Sequence, residues 1–283
     1  MSSTIILNST NRSSTNSSRY EYLFPSTVKF PKGSKIALQS FSMYNSIFNI
    51  EAQRGNNQVK IIWNADSAVE YTCTFSDGFY SISDLNFALQ QFCILNDLYM
   101  IDGDGNFVYF VEILTNSVLY SSEIDCTAIP TTAEATTLGY TIPSGASWSH
   151  PVTAKTAQLE IISTAFASLL GMSVATYPPT ILAIDSQHLS TTEPQISPVN
   201  SILLGCNLVS SRYSNPSHLF YSIPLTVGFG SMITHNSSSV ILNNISPGSY
   251  GKISIDLYSQ DFNSLRIHDS EIVLVLQIIL PDE

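Results

Sequence analysis

The chain has 283 residues, a formal charge of −11 and only 12% charged residues, about half of the ~25% usual in soluble domains. A chain of 31.0 kDa buries roughly 73% of its unfolded surface, so no metal or disulfide is required to hold a core, and one β domain with an insertion or two small domains fit the length. No apolar run approaches the ~20 residues of a membrane helix, and the acidic body excludes a general phosphate-binding surface.

Residues 1–19 read as a flexible basic arm. After the apolar knot Ile5-Ile6-Leu7, the run from Asn8 to Arg19 has no periodicity and no apolar content, too little to offset its ordering entropy. Seven of the eleven basic residues lie in the first sixty positions, opposed only by Glu21 and Glu51, a balance of +5; the remainder holds four basic and twenty acidic residues, or −16. Such asymmetry marks an interaction tail. Arg12, Arg19, Lys29, Lys32 and Lys35 are the candidate contact residues. No signal peptide is expected, because Met1–Asn8 lacks a basic n-region and a long apolar core.

Strand signals follow. Pro31-Lys32-Gly33 marks a turn, and Ile36 to Tyr44 alternates strictly, with Ile36, Leu38, Ser40, Ser42 and Tyr44 on one face. Val59 to Trp63 and Val69 to Phe75 are two further strands. From Ser81 to Asn96 the apolar residues Ile82, Leu85, Leu89 and Phe92 recur at helical steps, and Ser81 with Asp84 makes a capping box. Thr164 to Met172 is a second helix, ended by Gly171 and Pro178-Pro179. Tyr99 to Ile113 reads as a hairpin around Gly103-Asp104-Gly105, with a strand near Val118 to Ile124. Residues 129–157 and 185–199 read as long loops or the rim of an inserted lobe.

The last third is β-rich. Runs at Ser201 to Val209, Leu219 to Val227, a short hairpin near Ser239 to Leu242, Lys252 to Tyr258 and Ile272 to Leu280 suggest a jelly roll. The final run IVLVLQIIL is expected to be a central strand buried on both faces. The fold class is all-β: a single jelly-roll β-sandwich over residues 20–283, with one or two short flanking helices and a possible inserted lobe within about 100–200.

Chemistry-bearing motifs are sparse. Asp102-Gly-Asp104-Gly-Asn106 opens like a calcium loop, but Phe107 and Ile113 occupy the positions that need Gly and Glu, so a hairpin turn explains it better. The five histidines have no metal spacing on a helix, and no P-loop or G-x-S-x-G elbow is present. A Ser/His188/Asp185 triad can be drawn, yet a chain with 44 serines permits several. Cys73, Cys93, Cys126 and Cys206 match no zinc or redox pattern and are expected as free thiols. The reading is not an enzyme, and no cofactor or metal is expected. Low charge with 14 Tyr and 14 Phe, and no formal charge from Tyr213 to Gly251, favours a subunit buried in an assembly.

Four ordered segments carry a family resemblance: Thr4-Ile-Ile-Leu7 with Phe30-Pro-Lys-Gly-Ser-Lys-Ile-Ala-Leu38 and the aromatic strand to Tyr44; Asp77-Gly-Phe-Tyr80 running into Ile82-Ser-Asp-Leu-Asn86; Phe166-Ala-Ser-Leu-Leu-Gly171 before Tyr177-Pro178; and Ile253 to Leu280 through Asp261-Phe-Asn-Ser-Leu265. Together they resemble the penton, or minor capsid, proteins of virophages and polinton-like double-stranded DNA viruses. The resemblance implies a jelly-roll homopentamer at the fivefold vertices of an icosahedral capsid, partnered by a double-jelly-roll major capsid protein, without catalysis. It also implies a virion protein made in host cytoplasm. The arm would face inward, onto acidic neighbouring subunits or packaged DNA, and its deletion would spare folding. The alternative is a β-sandwich attachment or glycan-binding module, in which Tyr, Trp63 and Trp148 would stack on sugars.

Overall fold

The computed structural model describes residues 2–237 and 240–281. The chain divides into two compact units: unit 1 is Met1–Phe48 with Val199–Glu283, and unit 2 is Asn49–Pro198. The insertion thus opens near residue 49 rather than near 100. The strands on either side of it, not the loops within it, belong to the enclosing sandwich.

Unit 1 has eight principal strands: β1 (Ser2–Asn8), β2 (Arg19–Phe30), β3 (Lys35–Tyr44), β4 (Ser201–Cys206), β5 (Leu219–Pro224), β6 (Met232–Asn236), β7 (Gly248–Tyr258) and β8 (Ile272–Ile279). One sheet has the order β1-β8-β3-β6 and the other β5-β4-β7-β2. The antiparallel partners are β1 with β8, β2 with β7, β3 with β6 and β4 with β5. A long hairpin wound on itself has this pairing, which is the jelly roll. The insertion occupies the connection between β3 and β4. The inward faces meet in one core that includes Leu7, Phe41, Met43, Leu204, Ile255, Leu257, Leu274 and Leu276.

Three expectations change here. Residues 2–8 are not a free arm. Seven consecutive pairs join β1 to β8, from Ser2↔Ile279 to Asn8↔Val273, and Leu7 is fully buried. Deleting residues 1–19 would strip an outer strand and open the core, so folding would not be spared. The strict alternation of β3 is broken by a bulge: Val275 pairs Ser40 while Leu276 pairs Leu38. Gln39 is the extra residue, so Ile36 and Leu38 share the inward face with Phe41 and Met43. Finally, β8 is central but buried on one face only. Ile272, Leu274, Leu276 and Ile278 point inward, whereas Val273 is 42% exposed.

Unit 2 is also mostly β, with three helices: α1 (Ile82–Leu95), α2 (Thr132–Leu138) and α3 (Thr164–Leu170). The Ser81–Asp84 capping box forms on α1, burying Ile82, Leu85, Leu89 and Cys93. The loop read at 129–157 contains α2, whose Thr131–Glu134 capping box and left-handed Gly139 cap were signals of a helix too short to show periodicity. A four-stranded sheet places Gln58–Trp63 and Gln158–Glu160 at its centre, and a second sheet joins Ser186–Leu189 to the hairpin Val111–Asn116/Ser121–Cys126. Ser186–Leu189 falls in the second expected loop, and Val118 lies in the hairpin loop rather than in a strand. The short hairpin read near Ser239 to Leu242 falls partly outside the described residues.

Candidate assembly surfaces

The two outward faces of unit 1 differ in charge. On the β2/β7 side, Arg19 faces Asp256 and Glu21 faces Ser254. Arg19 Nε lies 2.7 Å from Asp256 Oδ1, and Lys252 Nζ lies 2.8 Å from Glu21 Oε1. The Asp256 hydrogen bond holds the Arg19 guanidinium above its ordinary pKa against burial. Tyr258 and His218 complete this face, with the phenol 3.2 Å from the imidazole Nε2. They crowd Gly205 so closely that a Cβ there would sit 2.6 Å from the His218 ring.

The opposite face is built from alternate residues of β1, β8, β3 and β6: Thr4 and Ile6; Val273, Val275 and Gln277; Ser40, Ser42 and Tyr44; Met232 and Thr234. Lys35, at its end, is the one formal charge on these strand positions. Ile6 is 59% exposed and Met232 48%. An exposed sheet face without interspersed charge lacks the usual protection against association.

The structure separates the five candidate basic residues into two sets. Lys35 pairs with Ile279 at one end of its sheet, while Tyr44 pairs with Met232 at the other, and a ten-residue strand is about 30 Å long. Lys29, Lys32 and Lys35 flank the β2–β3 turn at the first end. Gly33 takes φ +95° there, and a Cβ on it would meet Pro281 at 3.6 Å. Among the described residues no ion pair joins these lysines. Arg12 and Arg19 lie at the other end and are used internally. Arg12 donates from Nε to Ser17 O at 3.1 Å and from Nη2 to Ile267 O. The chain leaves unit 1 after Phe48 at that same end, where Phe48 stacks on His268 at 3.7 Å.

Charge partitions by unit as well. Unit 1 holds eight basic and seven acidic residues, unit 2 three basic and fifteen acidic, a net of +1 against −12. On the 111–126 hairpin Glu112 faces Asp125 across the ladder, two residues along the strand from Glu123. Glu123 is buried and accepts from Asn116 Nδ2 at 3.1 Å and from Gln187 Nε2. Burial, then repulsion from Glu123 and a hydrogen bond with it, pushes the Asp125 carboxyl up to about 6.

No built catalytic site emerges among the described residues. Asp185 accepts from the Ala128 amide at 2.8 Å, and His188 lies against Tyr177, its imidazole held below the ordinary pKa by burial. Asp102 is engaged in its own turn by the amides of Asp104 and Asn106. All four cysteines are free and buried, their thiols pushed up to about 12. Trp63 and Trp148 are core residues, 2% and 8% exposed and 5.0 Å apart, so neither indole offers a sugar platform. Among the described residues no helix is long and apolar enough to cross a membrane.

No family model matches the chain, and comparison with curated proteins finds no match. Among solved structures, the chain is similar to the crystal structure of selenomethionine-labelled mavirus penton protein. The TM-score is 0.43 at 13% identity, over 98% of this chain and 97% of that one.

Proposed function

We propose that this protein is a structural capsid subunit, a penton whose homopentamers close the fivefold vertices of an icosahedral virion. The observation that carries the reading is a closed jelly roll with one outward face almost free of charge, spanning four strands and exposing Ile6, Val273 and Met232. Four strands at ~4.8 Å and some eight residues at ~3.3 Å give a flat area near 500 Å², over half of the ~800 Å² each partner contributes to a stable interface. The ordered sequence resemblance supports the same role in virophages or polinton-like viruses. A double-jelly-roll major capsid protein is the expected neighbour, and host cytoplasm the site of synthesis.

Within this reading Lys29, Lys32 and Lys35, not Arg12 and Arg19, form the contact set toward acidic neighbouring subunits or packaged DNA. Light scattering with negative-stain imaging tests the assembly. Particles near five times 31.0 kDa with fivefold rings are expected; a stable trimer would instead favour an attachment module. Replacing the three lysines by Glu is expected to leave rings intact and reduce incorporation into capsids, and normal incorporation would remove them from the contact set.

A further inference from the structure

The 111–126 hairpin ends in an unusual tip. Its loop Ser117-Val118-Leu119-Tyr120 carries no charge, and Val118, Leu119 and Tyr120 are 90%, 60% and 74% exposed. Leu119 N donates to Asn116 Oδ1 at 3.1 Å, fixing the turn. Tyr120 has φ +51°, a left-handed conformation that Gly or Asn adopts at much lower cost. The hairpin turn supplies the left-handed position, and the side chain that fills it is a bulky aromatic left outside the core.

At the other end of the same ladder lies an open groove of about 570 Å³, lined mainly by Ala128, Pro130, Ala133, Leu138, Ala154 and Ile184. Its two carboxylates are committed to this chain's own amides. Glu134 Oε2 accepts from Thr131 N, and Asp185 Oδ1 from Ala128 N, both at 2.8 Å. The groove therefore asks for an apolar occupant with at most a hydroxyl donor, as Val, Leu and Tyr supply.

We propose that the Val118–Tyr120 tip of one copy seats in the Ala128–Ile184 groove of the next copy. Tip and groove are separated by the length of the Ser121–Cys126 strand, about 17 Å, so a chain cannot fill its own groove. A tip-to-groove contact is heterologous, and such contacts close into rings when the rotation permits. Charge limits where copies can touch: two units of −12 repel one another, and an uncharged tip in a groove whose carboxylates are already engaged adds no further repulsion. An anionic lipid surface would be repelled by the same charge.

This inference rests on the pentamer reading for ring size alone. The test joins Leu119→Cys with Thr137→Cys, a groove-lining position, under a bifunctional maleimide; the native thiols are buried. Cross-links between copies are expected in the double variant only. Leu119→Asp and Ala133→Trp should each weaken self-association at least tenfold by sedimentation velocity, with melting temperature unchanged. Tyr120→Gly should melt higher yet associate more weakly. Absence of inter-copy cross-links, or wild-type association in both single variants, overturns the contact. Fivefold rings that survive Leu119→Asp drop the contact and keep the pentamer reading. Cross-linked filaments or dimers without rings of five keep the contact and drop that reading.

Discussion

On one outward face of the unit 1 sandwich, Arg19, Glu21, Lys252 and Asp256 stand in two ion pairs; on the other, Lys35 at the end of β3 is the one formal charge among the described strand positions. The two sheets have similar strand counts and pack on one core, so burial demands do not separate them. The difference teaches that the inward face fixes the fold, while the outward face records what surrounds it. Charges matched within one chain suit a face left in water. A row of Val, Ile, Thr and Ser suits a face covered by something equally neutral.

The comparison breaks most readily at Ile6 and Leu23. Both are exposed apolar residues on outward strand positions, 59% and 72% exposed, one on each face. Ile6→Asp is expected to reduce ring formation by about tenfold or more, because a carboxylate buried without a partner in an interface costs several kcal/mol. Leu23→Asp is expected to leave ring formation within about twofold. Sedimentation velocity on the pair decides it; equal effects would mean that the neutral face is not the contact.

Stability should respond on the opposite face. Arg19→Ala removes the partner of Asp256, whose side chain is 11% exposed, although Arg19 itself is 42% exposed. A loss of about 1–2 kcal/mol is expected, between the values for exposed and buried pairs. Lys32→Ala, in the β2–β3 turn, should stay within about 0.5 kcal/mol. Urea melts of the two variants separate a residue tethered within the chain from one that joins no ion pair among the described residues.

Much of this architecture was legible in the residues. The capping box at Ser81–Asp84, the Gly171 helix end and the β-rich last third follow from local chemistry that the fold keeps. What escaped depends on partners far along the chain. The apolar knot Ile5-Ile6-Leu7 looks too short to order itself, and it is ordered by β8, some 270 residues away. The Gln39 bulge is set by the register against β8 and leaves no mark in the alternation itself. IVLVLQIIL reads as buried on both faces because a neutral outward face and a core face look alike in composition. Val118 to Tyr120 reads as the start of a strand because its apolar composition matches one, whereas it is the loop between Asn116 and Ser121.

A third kind of outward face sharpens the contrast by pH. On the 111–126 hairpin Glu112, Glu123 and Asp125 share a face with Gln187, and among the described residues no basic group is paired with them. Asp125 titrates near 6 in the fold against 3.8 ordinarily, so between those values the folded chain holds a proton that the unfolded chain has released. Stability from this group is therefore greatest below about pH 4 and is lost as pH rises through 6. Asp125→Asn should flatten that part of a melting-temperature profile between pH 4.5 and 7 and raise the melting point most at pH 7. An unchanged slope would mean that burial and the neighbouring Glu123 do not raise the Asp125 carboxyl in the fold.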